Sequence, residues 1–152
     1  DAERLEGRTR YADLLHALGY FQKALPVRRE TLEARERTLG EEHQDTLKSV
    51  NDLARILKSI GRIEEAGALH RRALEARERT LGEEHEDTLG WVISLSQILI
   101  ETGRTEEAEA LIRRALEASE RTLGEEHEDT LRSVNNLAII LQTTGRIEEA
   151  EA

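Results

Sequence analysis

Three histidines return in one pentapeptide, Leu39-Gly40-Glu41-Glu42-His43, Leu81-Gly82-Glu83-Glu84-His85 and Leu123-Gly124-Glu125-Glu126-His127. An imidazole beside carboxylates is the raw material of a zinc site or a proton relay. Their spacing opposes both. If the pentapeptides belong to stacked units, equivalent residues lie on the order of 10 Å apart, one helix-packing distance, whereas zinc ligands sit within ~2.0–2.3 Å of one ion. Loop capping is the simpler role, and no metal or cofactor is expected. Glu83, Glu84, Glu86 and Asp87 stand where a following helix would present its positive end, which favours acids without calcium. No other chemistry has a foothold. The chain holds no cysteine, no Gly-x-x-x-x-Gly-Lys loop and no His-Glu-x-x-His, and Ser49, Ser59, Ser94 and Ser96 lack an adjacent histidine. Catalysis is not expected.

The pentapeptides recur every 42 residues, and Gly19, Gly61, Gly103 and Gly145 keep the same interval. Three of these glycines open an Arg-x-Glu-Glu-Ala run, Gly61 to Ala66, Gly103 to Ala108 and Gly145 to Ala150. A fixed period between about 20 and 50 residues marks arrays whose units bury their apolar faces on one another. With 38% hydrophobic residues, one Phe, one Trp and no Met, the core must be Leu, Ile, Val and Ala. A formal net charge of -10 opposes phosphate binding, so nucleic acid is not an expected partner. No apolar run approaches the roughly 18 residues that span a bilayer, so no membrane contact is expected. The missing cysteines favour a cytoplasmic home. Starting at Asp1 and stopping within a repeat, the chain reads as part of a longer array.

Each unit reads as two helices. Leu47, Val50, Leu53, Ala54, Ile56 and Leu57 recur by threes and fours between Asp45 and Gly61, giving helix A one apolar face. Asp45 and Thr46 are candidate caps, and Gly61 suits the left-handed residue beyond the end. Ile63, Ala66, Leu69, His70, Ala73, Leu74 and Ala76 continue as helix B, closed by Leu81-Gly82. Arg71, Glu75 and Arg79 alternate as a solvated ridge. Ala66, Ala73, Ala108 and Ala115 offer the small surfaces that let two helices approach closely.

Leu53-Ala54, Leu57, Gly61, Ile63, Ala66 and Ala73 resemble the small-and-large pattern of tetratricopeptide repeats. The set recurs as Leu95, Leu99, Gly103, Ala108 and Ala115, as Tyr11-Ala12, Leu15, Gly19, Phe21 and Ala24, and as Leu137-Ala138, Leu141, Gly145, Ile147 and Ala150. The usual unit has 34 residues. The longer form, with Leu-Gly-Glu-Glu-His before helix A and Val134-Asn135-Asn136-Leu137-Ala138 within it, is similar to the kinesin light chain type, found also in repeat tails of signalling NTPases. Two departures stand out. Gln44, Glu86 and Glu128 replace the family's proline after the histidine, which should leave the start of helix A less rigidly fixed. Glu78 and Glu120 replace a closing proline, which fits a longer helix B. The resemblance implies an all-α solenoid of antiparallel helical hairpins in a right-handed superhelix, one array with repeats at 4–45, 46–87, 88–129 and, in part, 130–152.

The repeats also differ informatively. Arg62–Asp87 and Arg104–Asp129 differ at four of 26 positions, but Thr46–Gly61 and Thr88–Gly103 differ at nine of 16. In the resembled family the A helices line the concave side, so the variable face is the expected groove. It comprises Lys48, Asn51, Arg55, Lys58 and Ser59, then Gly90, Ile93, Gln97, Ile100 and Glu101, then Arg132, Asn135, Ile139, Gln142 and Thr143. The asparagine amides offer donor and acceptor to a peptide backbone, the cations meet carboxylates, and Ile93 with Ile100 takes an apolar side chain. Drift on an unselected solvent face is the competing reading. Trp91, two positions from Ile93 and so ~200° around the helix, should pack between repeats. The expected function is protein or peptide recognition, and the alternative is a structural module whose open ends self-associate.

Overall fold

The computed structural model describes residues 2–146 and Glu149 of the 152. Seven α-helices and no strand occur among the described residues: α1 (Ala2–Ala17), α2 (Phe21–Leu39), α3 (Gln44–Ser59), α4 (Ile63–Leu81), α5 (Glu86–Glu101), α6 (Thr105–Thr122) and α7 (Glu128–Thr143). The odd-numbered helices are the A helices of the repeat and the even-numbered ones its B helices. This is an all-α helical-repeat solenoid, and its residues cluster as two compact units, Asp1–Ala76 and Arg77–Ala152. Ile147 and Ala150, which extend the repeat pattern, lie outside the described residues.

The glycine period sets the turns. Gly61 adopts φ 83°, its N–H bonds the Lys58 carbonyl at 3.1 Å, and the Arg62 N–H reaches back to the Leu57 carbonyl at 2.8 Å. This pair of bonds is the Schellman closure, which satisfies carbonyls that a helix end leaves orphaned. The same pair forms at Gly19, Gly103 and Gly145.

Helix A begins earlier than Asp45 or Thr46. His43 is the cap residue of α3, and its Nδ1 accepts the Asp45 N–H at 3.1 Å; His85 does this for Asp87, and His127 for Asp129. The three caps share φ near -65° and ψ of 141 to 143°. Gln44, Glu86 and Glu128 are therefore first helical residues, where proline is tolerated but not needed. Contrary to expectation, the histidine fixes these starts without it.

Packing follows the small residues: Ala12, Ala24, Ala54, Ala66, Ala73, Ala108 and Ala115 are all buried. Comparing α1 with α3 separates the faces of helix A. Both bury the equivalent pairs, Ala12 with Leu15 and Ala54 with Leu57, but α3 also buries Thr46, Ser49, Leu53 and Ile56. This second face meets the preceding B helix, because the Arg35 Nη1 of α2 donates to Ser49 Oγ at 2.7 Å and to the Asp45 carbonyl at 3.2 Å.

Successive B helices are laced by charge. In the first unit Arg29 pairs with Glu65, and Arg72 with Glu36; in the second, Arg114 meets Glu78 at 3.3 Å and Arg113 meets Glu149 at 2.6 Å. Each pair spans 36 residues.

Candidate partner-binding face

Beyond its first turn, the unburied residues of α3 form one stripe: Lys48, Asn51, Arg55 and Ser59 are exposed, and Asp52 and Lys58 half-buried. Every other residue from Thr46 to Leu57 is buried, because two packing faces leave only about a third of the helix surface to solvent. The stripe is not uniformly basic. Asp52 lies 3.8 Å from the Arg55 guanidinium and accepts from Arg28 Nη1 at 3.4 Å.

Arg28 was not singled out by sequence, yet it forms the floor of this region. It projects from α2, is only 4% exposed, and bridges Asp13 of α1 to Asp52 of α3. A buried guanidinium held by two carboxylates is costly to disrupt, because removing either partner leaves charge uncompensated. The equivalent residues are His70 and Ile112, so the repeat comparison carried the sign of a special position: a cation where another repeat has an isoleucine. His70 is itself buried, and burial first, then the Lys58 ammonium, lowers its pKa from 6.5 to about 4.

In the second unit the expected stripe is only partly present. Gln97 is exposed and Ile100 half-buried on α5; Asn135, Ile139 and Gln142 are exposed and Arg132 half-buried on α7. Ile93 is a correction: it is fully buried, with no surface to offer a ligand. Isoleucine at the position of the exposed Asn51 is drawn into the packing, so the apolar middle of the expected groove reduces to Ile100. Variation is also not confined to the exposed stripe. Ser96 replaces the buried Ala54, and Asn136 Nδ2 donates to its Oγ at 3.4 Å, joining α7 to α5 inside the core. Trp91 is half-buried and shares its helix face with the buried Thr88, Leu95 and Ile98.

Glu109 of α6 accepts from Arg146, which follows Gly145 beyond the end of α7, and from Arg113 at 3.0 Å. The Arg146 hydrogen bond, against a smaller desolvation effect, holds the Glu109 carboxyl below its ordinary range, and Arg113 adds to this.

One cluster has metal-ligand types. Glu86, His127 and Asp129 place donor atoms within 4.8 Å of one another, joining residues of adjacent repeats that the spacing argument had not considered. The donor set does not fit a metal. His127 Nδ1 is occupied as acceptor of the Asp129 N–H, so the neutral ring carries its proton on Nε2, 3.3 Å from Glu86 Oε1. Coordination through Nε2 would sacrifice the cap of α7, and the Asp129 carboxylate already accepts from Arg132 Nη1 at 3.1 Å.

The tetratricopeptide repeat family profile matches residues 3–79 and 90–152, so the chain belongs to that family. Its repeats are in general protein–protein interaction modules. Among solved structures it is similar to a Podosopora anserina protein assigned as a kinesin light chain, with nearly identical TPR-like repeats (TM-score 0.82, 27% identity, 99% of this chain and 71% of that one). A single-substitution variant of that protein gives TM-score 0.82 and 27% identity over 97% of this chain and 69% of the other. BtubC (BKLC) from P. vanneervenii follows at TM-score 0.79 and 26% identity, covering 99% of this chain and 61% of that one. No curated protein matches. Among the described residues no helix is long and apolar enough to cross a membrane.

Proposed function

We propose that the chain is a scaffold segment whose A helices bind extended partner peptides on their exposed stripes, that of α3 in the first unit and those of α5 and α7 in the second. The observation that supports this most is the stripe on α3, where Lys48, Asn51 and Arg55 are exposed on a helix otherwise committed to packing. An amide flanked by two cations suits a peptide backbone next to carboxylate side chains. On α7 the exposed Asn135 and Gln142 offer two further amides, and Ile139, with the half-buried Ile100 of α5, the apolar element. Nothing in this arrangement performs catalysis, and a role in signalling rests on analogy with the repeat tails of NTPases.

The test is selection of a displayed random peptide library against the chain, followed by anisotropy titrations of the selected peptides. Asn51→Ala and Asn135→Ala should each weaken binding about fivefold to tenfold, the worth of one or two lost hydrogen bonds, with the unfolding midpoint unchanged. Equal affinity in both variants would remove these stripes from the reading. End-to-end association of copies is the second reading, favoured by the exposed Leu131 and Val134 on α7.

A further inference from the structure

The first hairpin, α1 with α2, presents an edge unlike those of its successors. In α3, Leu53 and Ile56 lie on the face that meets the preceding B helix and are buried; their equivalents on α1, Tyr11 and Leu14, are 53% and 55% exposed, and Leu18 one turn further is 59% exposed. Internal repeats show what covers such a face, namely a B helix, whose contact is flanked by the two charge pairs that span 36 residues. The hairpin receiving that helix contributes a glutamate to one pair, Glu65, and an arginine to the other, Arg72.

In the first hairpin both signs are reversed. The position of Glu65 is Lys23, and the position of Arg72 is Glu30. Both side chains are exposed and held within their own hairpin, Lys23 Nζ lying 5.2 Å from the Tyr20 ring centroid and Glu30 pairing with Arg8. Arg8 itself takes the place of Val50, which is buried in α3. A B helix of the array's own type, laid on this edge in the usual register, would set arginine against Lys23 and glutamate against Glu30. Like charges placed opposite one another are the common device by which a surface rejects an unwanted partner.

We propose that this edge is a docking surface for a partner helix of reversed charge order, which lays its apolar face on Tyr11, Leu14 and Leu18, sets an acid against Lys23 and a base against Glu30, and excludes the B helices of this array. The edge thereby fixes which segment can precede or cap the first hairpin, and it opposes head-to-tail growth of copies. This goes beyond peptide capture on the A-helix stripes and uses none of their residues.

The test is a charge-swap cycle within one chain. A second copy of residues 46–87 is fused directly ahead of Arg4, which keeps the 42-residue register and brings its Arg71 and Glu78 opposite Lys23 and Glu30. Four proteins are compared by thermal and urea unfolding: the fused copy unaltered or carrying Arg71→Glu with Glu78→Arg, each ahead of the native edge or of Lys23→Glu with Glu30→Arg. The two combinations with complementary charges should melt about 2–4 °C above the two with like charges, the shift expected of roughly 1 kcal/mol in a protein of this size. The difference should shrink in 0.5 M salt. Because the cycle reads coupling, a loss of stability common to one substituted edge cancels. Equal melting in all four, or a higher midpoint for the unaltered copy on the native edge, would overturn the proposal.

Discussion

His70 is neutral in the fold, because burial and the Lys58 ammonium lower its pKa from 6.5 to about 4. Between those values the unfolded chain takes up a proton that the folded chain refuses, so stability falls as pH drops through the window and levels off below it. A displacement of this size corresponds to at most about 3 kcal/mol. Substituting His70→Ile installs the residue found at the equivalent Ile112, and the variant should lose less stability than the native chain between pH 7 and pH 4 in urea titrations. Parallel curves would show that His70 carries no such linkage. The cap histidines act through geometry instead. His85→Ala should cost about 1 kcal/mol in denaturant unfolding, and His85→Asn most of that less, since asparagine is itself a strong cap. Sequence had identified these histidines as loop caps because equivalents one repeat apart lie too far from one another to share a metal. It also favoured Asp45 and Thr46 as caps, since a short oxygen side chain is the usual solution and nothing in the chain reveals that Nδ1 faces the Asp45 amide.

The hairpin itself was legible because its punctuation is repeated: a left-handed glycine after each A helix, another after each B helix, and alanines where the two cross. Gly103 adopts φ 78° with open space around it, so Gly103→Ala meets no clash and should cost about 1 kcal/mol through backbone strain alone. Ala66→Leu is the opposite case. Ala66 is fully buried, and the added bulk should overpack it by ~1–3 kcal/mol, visible as a lower denaturant midpoint with little change in slope. What sequence could not supply was the lateral register between hairpins. The repeat period is 42 residues but the B-helix ion pairs join residues 36 apart, an offset set by how neighbouring helices slide past each other. Arg71, Glu75 and Arg79 were therefore read as a solvated ridge, while their neighbours Arg72 and Glu78 join one B helix to the next. Ile93 was misplaced for a related reason. A position on the boundary between the exposed stripe and the packed face goes either way with its side chain, and asparagine stays out where isoleucine goes in.

At the scale of the whole chain, a formal net charge of -10 lies over exposed apolar residues at Tyr11, Leu14, Leu18, Leu131 and Val134. Near neutral pH the net repulsion keeps such patches apart, and the reversed pairs at the first hairpin add a local obstacle to copies meeting head to tail. The net repulsion depends on ionised carboxylates, and the net charge vanishes near the sequence pI of about 5.1. Light scattering should therefore show mass independent of concentration at pH 7.5 and rising with concentration as pH approaches 5. Because His70 protonation lowers stability over part of the same range, circular dichroism must accompany the measurement, so that assembly of folded chains is distinguished from aggregation of unfolded ones. Leu14→Gln with Leu18→Gln should delay the onset at pH 5 without lowering helicity at pH 7.5, since both side chains are already in water. An unchanged onset would place the association elsewhere, and the exposed Leu131 and Val134 of α7 are then the surface to substitute next.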